Sequence, residues 1–269
     1  MRLASIHTYP VKGCHRIDHD GARVEPWGLA GDRHWLVVDA DGRFVSQREA
    51  PGLVRIQPVG RPGGLRLRAP GLADLDVPEP AGGELVDVRV WNDTLAAAPA
   101  GPAADDWCSA ALDTKVRLVW LDDPKRRAVD PDYGATDDRV SFADGFPLLL
   151  ANMASLDALN GWLLESGSIE GPLPMTRFRP NVVISGAPAW VEDEWTGRRV
   201  RIGAVTFRVV KPCGRCVVTT TDQETGERGH EPLRTLARHR RVGQQLRFAT
   251  NLIPDAVGEI ALGDPVEPI

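Results

Sequence analysis

The fold is decided by one stretch, residues 209–222, which reads Val209-Val210-Lys211-Pro212-Cys213-Gly214-Arg215-Cys216-Val217-Val218-Thr219-Thr220-Thr221-Asp222. Two cysteines stand three positions apart, with a glycine and an arginine between them. Glycine at such a position favours a tight turn, and the β-branched run at 217–221 favours a strand. The stretch therefore predicts a turn that enters a strand and holds two thiols beside a fixed cation.

Three other interpretations of the cysteine pair have to be weighed. A zinc ribbon needs a second close pair of ligands, whereas the other two cysteines, Cys14 and Cys108, are isolated. A thioredoxin-type dithiol needs a helix N-terminus, whereas the following run favours a strand. Two thiols that simply pack as small apolar groups would leave Lys211 and Arg215 unexplained. The stretch alone leaves all three open.

The residues that follow the cysteine pair predict two further elements. Residues 222–226 predict a turn, and residues 231–236 predict the start of a short helix with Pro232 in its first turn. Residues 238–241, Arg-His-Arg-Arg, would end that helix with cations at the negative end of its dipole.

This order of motifs resembles the signature of the MOSC domain, named for the C-terminal domain of molybdenum cofactor sulfurases. The matching elements are Lys-Pro-Cys-x-Arg-Cys, Thr-Thr-x-Asp, Thr-Gly and Glu-Pro-Leu-x-Thr-Leu. The sequence is most similar to molybdenum reductases of the mitochondrial amidoxime reducing component type and their bacterial YcbX-type relatives. The resemblance implies a mainly β fold with short helices (α+β). It divides the chain into an N-terminal MOSC-associated β-rich region, residues 1–120, and a MOSC β-barrel, residues 121–269.

Composition agrees with a strand-and-turn fold and excludes some functions. The 269 residues include 27 glycines and 22 prolines, and the formal net charge of -5 gives no overall basic footprint for nucleic acid. Four cysteines without a regular framework favour the reducing cytoplasm. The N-terminal segment alternates like a strand, and the most apolar stretch, 146–164, is interrupted by polar residues. We therefore expect a soluble cytoplasmic protein without a membrane span, unlike the anchored animal relatives.

The resemblance also implies a cofactor, molybdenum bound to molybdopterin. Molybdopterin carries a phosphate monoester with roughly two negative charges near neutral pH. Burying it requires paired cations, and planar arginine forks suit both a phosphate and a pterin edge. By resemblance, the cofactor-binding residues are Lys12, Gly13, Arg33, Gly145, Phe146, Arg179, Asn181, Gly214, Arg215 and Gln245. The four cations stand at turns beside separate strands, so we expect them to share one cleft.

Some of these positions depart from the family pattern. Gly13 replaces a cofactor-binding serine, so a contact there must come from the backbone. Gly145 and Phe146 stand where animal relatives carry hydroxyl groups. Residues 46–48, Ser-Gln-Arg, are expected only to pack, and the polar stretch 122–138 is expected to be a long loop beside a substrate entrance.

The metal itself needs a protein ligand. A soft thiolate suits an ion already held by dithiolene sulfur. In the resemblance the second cysteine, Cys216, is the molybdenum ligand and the catalytic residue, while Cys213 is a small buried thiol. We expect the adjacent Arg215 to favour the thiolate form of Cys216.

The activity implied is reduction of an N–O bond in small N-hydroxylated compounds such as hydroxylaminopurines, hydroxylamines or amidoximes. An alternative of a different class is a carrier, in which Cys216 holds molybdenum cofactor or sulfur for delivery. A third is a zinc-stabilised interaction domain. The sequence has neither a four-cysteine iron–sulfur set beyond Cys216 nor a G-x-G-x-x-G turn. We therefore expect a separate electron donor, a ferredoxin or a haem protein with its reductase.

Overall fold

The computed structural model describes the whole chain, Met1–Ile269. It is mainly β, as expected, with three short α-helices. The strands are β1 (Arg2–Thr8), β2 (Ile17–His19), β3 (Gly21–Glu25), β4 (Gly28–Leu29), β5 (Trp35–Val38), β6 (Gln57–Arg61), β7 (Gly64–Arg68), β8 (Leu75–Pro78), β9 (Val86–Val90), β10 (Asp93–Pro99), β11 (Arg117–Trp120), β12 (Leu148–Asn152), β13 (Val182–Ser185), β14 (Arg199–Ile202), β15 (Val205–Gly214), β16 (Arg241–Val242), β17 (Gln245–Pro254), β18 (Gly258–Ala261) and β19 (Val266–Pro268). The α-helices are α1 (Pro102–Leu112), α2 (Met153–Glu165) and α3 (Leu233–His239). Short 3-10 helices span Pro51–Arg55, Pro124–Arg126, Met175–Phe178, Val191–Trp195 and Val217–Thr220.

The largest sheet has nine strands in the order β19-β14-β15-β17-β12-β13-β1-β2, with β16 paired to β17. Every neighbouring pair is antiparallel except β12 and β13. Near the sheet's first strand, one isolated bridge joins Arg2 to Pro265. The sheet therefore curls towards a barrel without closing through a continuous ladder.

The smaller sheets come largely from the first part of the chain. They have the orders β5-β11-β10-β9, β6-β7-β8 and β18-β3-β4. Strands β1 and β2 belong to the large sheet, and the late strand β18 pairs with the early strand β3. Strand pairing thus crosses the predicted boundary at residue 120, and the two parts of the chain share one framework.

Strand β14 shows why these residues form a half-buried sheet. Val200 and Ile202 are buried and Arg199 and Arg201 are exposed, so the side chains alternate between core and solvent. Across the hairpin, Phe207 of β15 is also fully buried and packs in the same cluster. Burying an aliphatic or aromatic side chain of this size contributes about 1.5–3 kcal/mol.

Helix α2 has leucines at helical spacing. Leu156, Leu159 and Leu163 are buried on one face, in a cluster that also contains Phe178 and Phe248. The side chain of Asn152 accepts a hydrogen bond from the first turn, which caps the helix.

The strand predicted at residues 217–221 is wrong. Strand β15 precedes the cysteine pair and ends at Gly214, and a 3-10 helix follows Cys216. The hydroxyl of Thr219 donates to the Cys216 carbonyl at 2.9 Å, and the hydroxyl of Thr220 donates to the Val217 carbonyl at 2.8 Å. These local bonds, made three residues back along the chain, compensate for the β preference of the branched side chains.

The remaining elements after the pair agree with the prediction in outline. Asp222 accepts bonds from the backbone N–H groups of Glu224 and Thr225, which fixes the predicted turn. Helix α3 follows, but Pro232 is its N-cap residue and lies just before the first turn. The last turn carries basic residues, as expected. None of the helices combines the length and apolar character needed to cross a bilayer.

Candidate functional site

One cleft gathers ten of the eleven residues predicted for the site. It encloses about 970 Å³ of non-atom space, part of it open to solvent. The predicted residues in its lining are Lys12, Gly13, Arg33, Gly145, Phe146, Arg179, Asn181, Gly214, Arg215 and Cys216. Gln245 is the exception: it is exposed at the start of β17, with its side chain close to Gly214. The turns predicted to converge therefore do so.

Two arginines of the cleft share one aromatic support. The guanidinium carbons of Arg33 and Arg179 lie 4.3 and 4.1 Å from the ring centroid of Tyr9. Tyr9 is buried, donates to the Pro180 carbonyl at 3.1 Å, and has its pKa raised to about 12 by burial, so it stays neutral. Both arginines have positive φ angles, +53° and +54°. Such backbone is costly for a non-glycine residue, and it often occurs at functional sites.

Arg33 is held by a buried polar network. It donates to Asp32 at 2.5 Å and to the Asn181 side-chain oxygen at 3.0 Å. The amide nitrogen of Asn181 donates to Asp32 at 3.0 Å and to the His7 carbonyl at 3.2 Å. The side-chain oxygen also accepts from the Leu149 N–H. Because both amide protons of Asn181 are in use, the geometry gives it a positioning role, whereas the sequence predicted a direct contact.

Arg179 has an unsatisfied donor. Its Nη1 donates to the Gln223 side chain at 2.8 Å, whereas its Nη2 is buried and has no partner. Burial lowers the pKa of Arg179 to about 10, and the nearby Arg33 acts in the same direction. A buried, unpaired donor beside a second guanidinium is the arrangement that an anionic ligand would complete.

Gln223 belongs to a pair of buried amides that connects three loops. Gln47 and Gln223 donate to each other at 3.1 and 3.0 Å. Gln47 also donates to the Gly13 carbonyl at 2.7 Å. Gly13 has a φ of +84°, and a β-carbon there would lie 3.0 Å from Leu53. The amide pair thus fixes both the Gly13 turn and the Arg179 fork.

Lys12 is paired inside the cleft with a residue that the sequence analysis missed. Its ammonium donates at 2.7 Å to Asp144 and at 2.7 Å to the Phe142 carbonyl. Asp144 is exposed to the cleft and also accepts from the indole N–H of Trp91 at 3.3 Å. Its place directly before Gly145 was the available sequence signal. Burial lowers the pKa of Lys12 to about 8, although Asp144 opposes the shift.

This pKa gives a testable pH dependence in the cofactor-free protein. The pKa of Lys12 is below its ordinary value of 10.5, so between about pH 8 and 10.5 the unfolded state binds more protons. Stability contributed by this group therefore rises with pH across that window. We expect the free energy of unfolding of the wild type to gain roughly 1–3 kcal/mol relative to Lys12→Met from pH 7.5 to pH 10. Urea unfolding of both proteins measures this difference, and parallel pH profiles would contradict it.

The two thiols have different cationic neighbours from those expected. Arg215 donates to the Cys213 sulfur at 2.9 Å and to the Phe178 carbonyl at 2.7 Å. The guanidinium whose charge interacts with Cys216 is that of Arg48: partial burial acts to lower its pKa, and the interaction with Cys216 raises it. Cys213 is also only partly buried and lines the cleft, so its description as a small buried thiol is wrong.

Arg48 and Gln47 were expected only to pack, and this is corrected by their position in the cleft lining. Arg48 stacks on Trp91 with its guanidinium carbon 4.6 Å from the ring centroid. Neither residue stands in a motif with a distinctive spacing, so their polar character was the only signal available. Their positions in the cleft lining depend on contacts with distant parts of the chain.

Phe146 of the cleft lining has an aromatic neighbour from the polar loop. Phe146 meets Tyr133 edge to face, with 5.8 Å between ring centroids, and the Lys211 ammonium lies 3.9 Å from the Tyr133 ring. Tyr133 belongs to the predicted loop at 122–138, which holds only the 3-10 helix Pro124–Arg126. The loop thus reaches the rim of the cleft. Gly145 has open space around its α-carbon.

The other two cysteines take no part in this site. Cys14 and Cys108 are buried in the same apolar cluster of the N-terminal region. The structure contains no group of three or more histidine, cysteine or acidic side chains arranged to hold a metal. The cleft instead combines a partly exposed thiol with several cations, and these donors suit an anionic cofactor whose metal takes one protein sulfur. The unpaired Nη2 of Arg179 fits the same group.

Comparison with known proteins identifies two family domains in the chain. Residues 1–115 match the MOSC N-terminal beta barrel domain and residues 137–267 match the MOSC domain. The fold is thus that of a MOSC-domain protein. Mitochondrial amidoxime-reducing component 1 of Xenopus laevis is 30% identical over 285 residues, covering 98% of this chain and 81% of that protein. The human protein of the same name is 31% identical over 283 residues, covering 98% and 82%. The chain belongs to the family of these amidoxime-reducing components.

A third relative is a molybdenum cofactor sulfurase from Anopheles gambiae. It is 32% identical over 271 residues, which cover 93% of this chain but only 34% of the sulfurase. The similarity to that protein is therefore confined to about a third of its length.

Proposed function

We propose that the protein is a molybdenum cofactor-dependent reductase of small N-hydroxylated compounds, such as hydroxylaminopurines, hydroxylamines or amidoximes. One observation carries the proposal: a single cleft joins the cations Lys12, Arg33 and Arg179 to the thiol of Cys216. The names of the amidoxime-reducing relatives support the same chemistry.

Each part of the cleft has a role in this proposal. Arg33 and Arg179 would hold the phosphate and pterin edge of molybdopterin, and Cys216 would supply the protein sulfur to molybdenum. The bound cofactor supplies two-electron redox chemistry. In the overall reaction the substrate N–O bond breaks, two electrons and two protons enter, and the reduced nitrogen compound and water leave. Lys12, with its pKa of about 8, is suited to hold and release a proton beside Asp144 near neutral pH.

The test is metal analysis combined with turnover. The protein is expressed in a molybdenum-replete host, and its molybdenum, zinc and molybdopterin contents are measured. Turnover with reduced methyl viologen is then followed for benzamidoxime, an N-hydroxylated purine and a hydroxylamine. We expect about one molybdenum per chain and reduction of at least one of these compounds. Loaded protein that reduces none of them would contradict the proposal.

A carrier of molybdenum cofactor or sulfur is the second candidate. The sulfurase relative and the partial exposure of Cys216 favour it. A carrier would show cyanide-labile sulfur on Cys216, or transfer of the cofactor to an apoenzyme, without turnover. Stoichiometric zinc in place of molybdenum would instead indicate an interaction domain.

We further propose that electrons come from a separate donor, a ferredoxin or a haem protein with its reductase, in the cytoplasm. All four cysteines are unpaired, as suits a reducing compartment. We expect no turnover with NADH or NADPH alone and full turnover with reduced viologen. Activity with the nicotinamide alone, in protein free of contaminating reductase, would contradict the separate donor.

A further inference from the structure

A basic surface lies beside the thiol loop on a protein whose net charge is -5. We call it the α3 patch and define it by four exposed residues, Arg234, Arg238, His239 and Arg241. Arg234 and Arg238 stand four positions apart on α3 and so share one helix face. None of the four forms an ion pair in the structure.

Two acidic side chains lie close to the patch. Asp193 pairs with Arg240, which lies between the patch residues in sequence. Glu170 accepts from the backbone N–H groups of His230 and Glu231, just before α3, and its charge also interacts with Arg234 without forming an ion pair. Arg238 and Arg241 have no acidic partner, so their positive charge is available to a charge from outside the molecule.

The patch adjoins the backbone that carries Cys216. Helix α3 packs against the 3-10 helix Val217–Thr220 and against β16 and β17. In the neighbouring hairpin, the Leu246 carbonyl accepts from the Arg215 N–H at 2.7 Å, and Arg247 pairs with Gly214. A short path through hydrogen-bonded backbone thus connects the patch to the thiol loop.

The surface also has an apolar component. Val242 of β16 is 49% exposed and Val217, at the start of the 3-10 helix, is 37% exposed. Both belong to elements that pack on α3. Arginine with exposed apolar side chains is a composition enriched at protein interfaces. No residue of the patch lines the cleft, so a protein bound there leaves the cleft lining to substrate.

We propose that the α3 patch is the docking surface for the electron-donor protein, which meets it with an acidic face. This inference rests on the proposed reductase function, which requires two electrons for each turnover. Complementary charge would steer the donor to the patch and bring its redox centre close to the thiol loop. The net negative charge of the whole chain disfavours nucleic acid or an anionic membrane as the occupant.

The test compares two charge-reversal variants of the cofactor-loaded protein. The patch variant is Arg234→Glu/Arg238→Glu/Arg241→Glu. The control changes three other exposed arginines without ion pairs, and it is Arg2→Glu/Arg61→Glu/Arg89→Glu. Both variants have the same net charge. Turnover is measured with reduced methyl viologen, with an acidic [2Fe–2S] ferredoxin and its reductase, and with an acidic b-type cytochrome and its reductase.

We expect the patch variant to lose at least about tenfold in donor-driven kcat/KM at low salt, with the control changing less than about twofold. Viologen-driven turnover should be unchanged in both. Added salt should slow the wild type with the protein donor and have little effect on the patch variant. This combination separates docking from chemistry at the site.

Other results would overturn the proposal. These are viologen turnover without electron transfer from either acidic donor, or donor-driven rates that the patch reversal leaves intact. Binding of phosphatidylserine vesicles or DNA that only the patch variant loses, with donor-driven rates unaffected, would assign the surface to those partners. Absence of viologen turnover in the wild type would instead remove the reductase function, and the docking proposal with it.

Discussion

Replacing Cys216 with alanine is expected to lower N–O reduction by more than a hundredfold. Outer groups that merely orient a metal ligand typically contribute ten- to a hundredfold to activity or affinity, so loss of the ligand itself should cost more. Cys216 is only partly buried, so the substitution should leave the fold intact. Viologen-driven turnover, molybdenum content and the thermal unfolding midpoint are measured on the same preparation.

Cys213→Ala is the matched control, because the second thiol lines the same cleft. It removes the acceptor of the Arg215 bond of 2.9 Å, and Arg215 still keeps its bond to the Phe178 carbonyl. We therefore expect partial activity, with a loss of roughly tenfold or less, since one such bond contributes about 1.5 kcal/mol. Full activity in Cys216→Ala with inactivity in Cys213→Ala would reverse the assignment of the ligand.

The contact between Arg215 and Cys213 also shows where sequence reasoning failed. The pairing of β15 with β17 is irregular between Pro212 and Gly214, so regular side-chain alternation does not hold at this turn. The Arg215 guanidinium reaches the Cys213 sulfur across it. Adjacency in the sequence suggested Cys216 instead. The cation at Cys216 is Arg48, which comes from a distant loop that local patterns do not place.

Local physics explains which parts of the fold were predictable. Alternation in β1 depends on burial of one face, and this strand formed as predicted. The run 217–221 has the same β-branched composition as a strand, but the threonine hydroxyls bond back to the chain. Composition alone does not decide between these two outcomes, because the choice depends on β15 ending at Gly214.

The candidate site also has a part that the sequence predicts and a part that it does not. The cleft could be predicted from motif residues at strand ends, because turns at neighbouring strand ends converge in a sheet. The roles of Asp144 and Gln47 were not predicted, because they depend on partners far along the chain. Lys12 is 132 residues from Asp144, and Gln223 is 176 residues from Gln47. Gln245 was predicted to bind the cofactor, yet it is not part of the cleft lining, although its side chain lies next to Gly214, which is.

Arg179→Ala should weaken cofactor retention by roughly ten- to a hundredfold, the equivalent of one charge-assisted hydrogen bond of about 1.5–3 kcal/mol. Its Nη2 has no protein partner, so this donor is available to the cofactor. Arg179→Lys keeps the charge but loses the planar fork, and we expect an intermediate loss. Molybdenum and molybdopterin that remain after extended dialysis measure the effect.

The stability of the cofactor-free protein distinguishes this role from a structural one. Arg179 has no carboxylate partner, and burial beside Arg33 lowers its pKa, so the cation is held at a cost in free energy. Arg179→Ala should therefore unfold within about 1 kcal/mol of the wild type, or be more stable. Arg33→Ala should be destabilised by about 3–5 kcal/mol, because it leaves the buried Asp32 without its ion partner. If Arg179→Ala kept full cofactor occupancy, or lost as much stability as Arg33→Ala, Arg179 would be a structural residue and the anion would have to be held elsewhere.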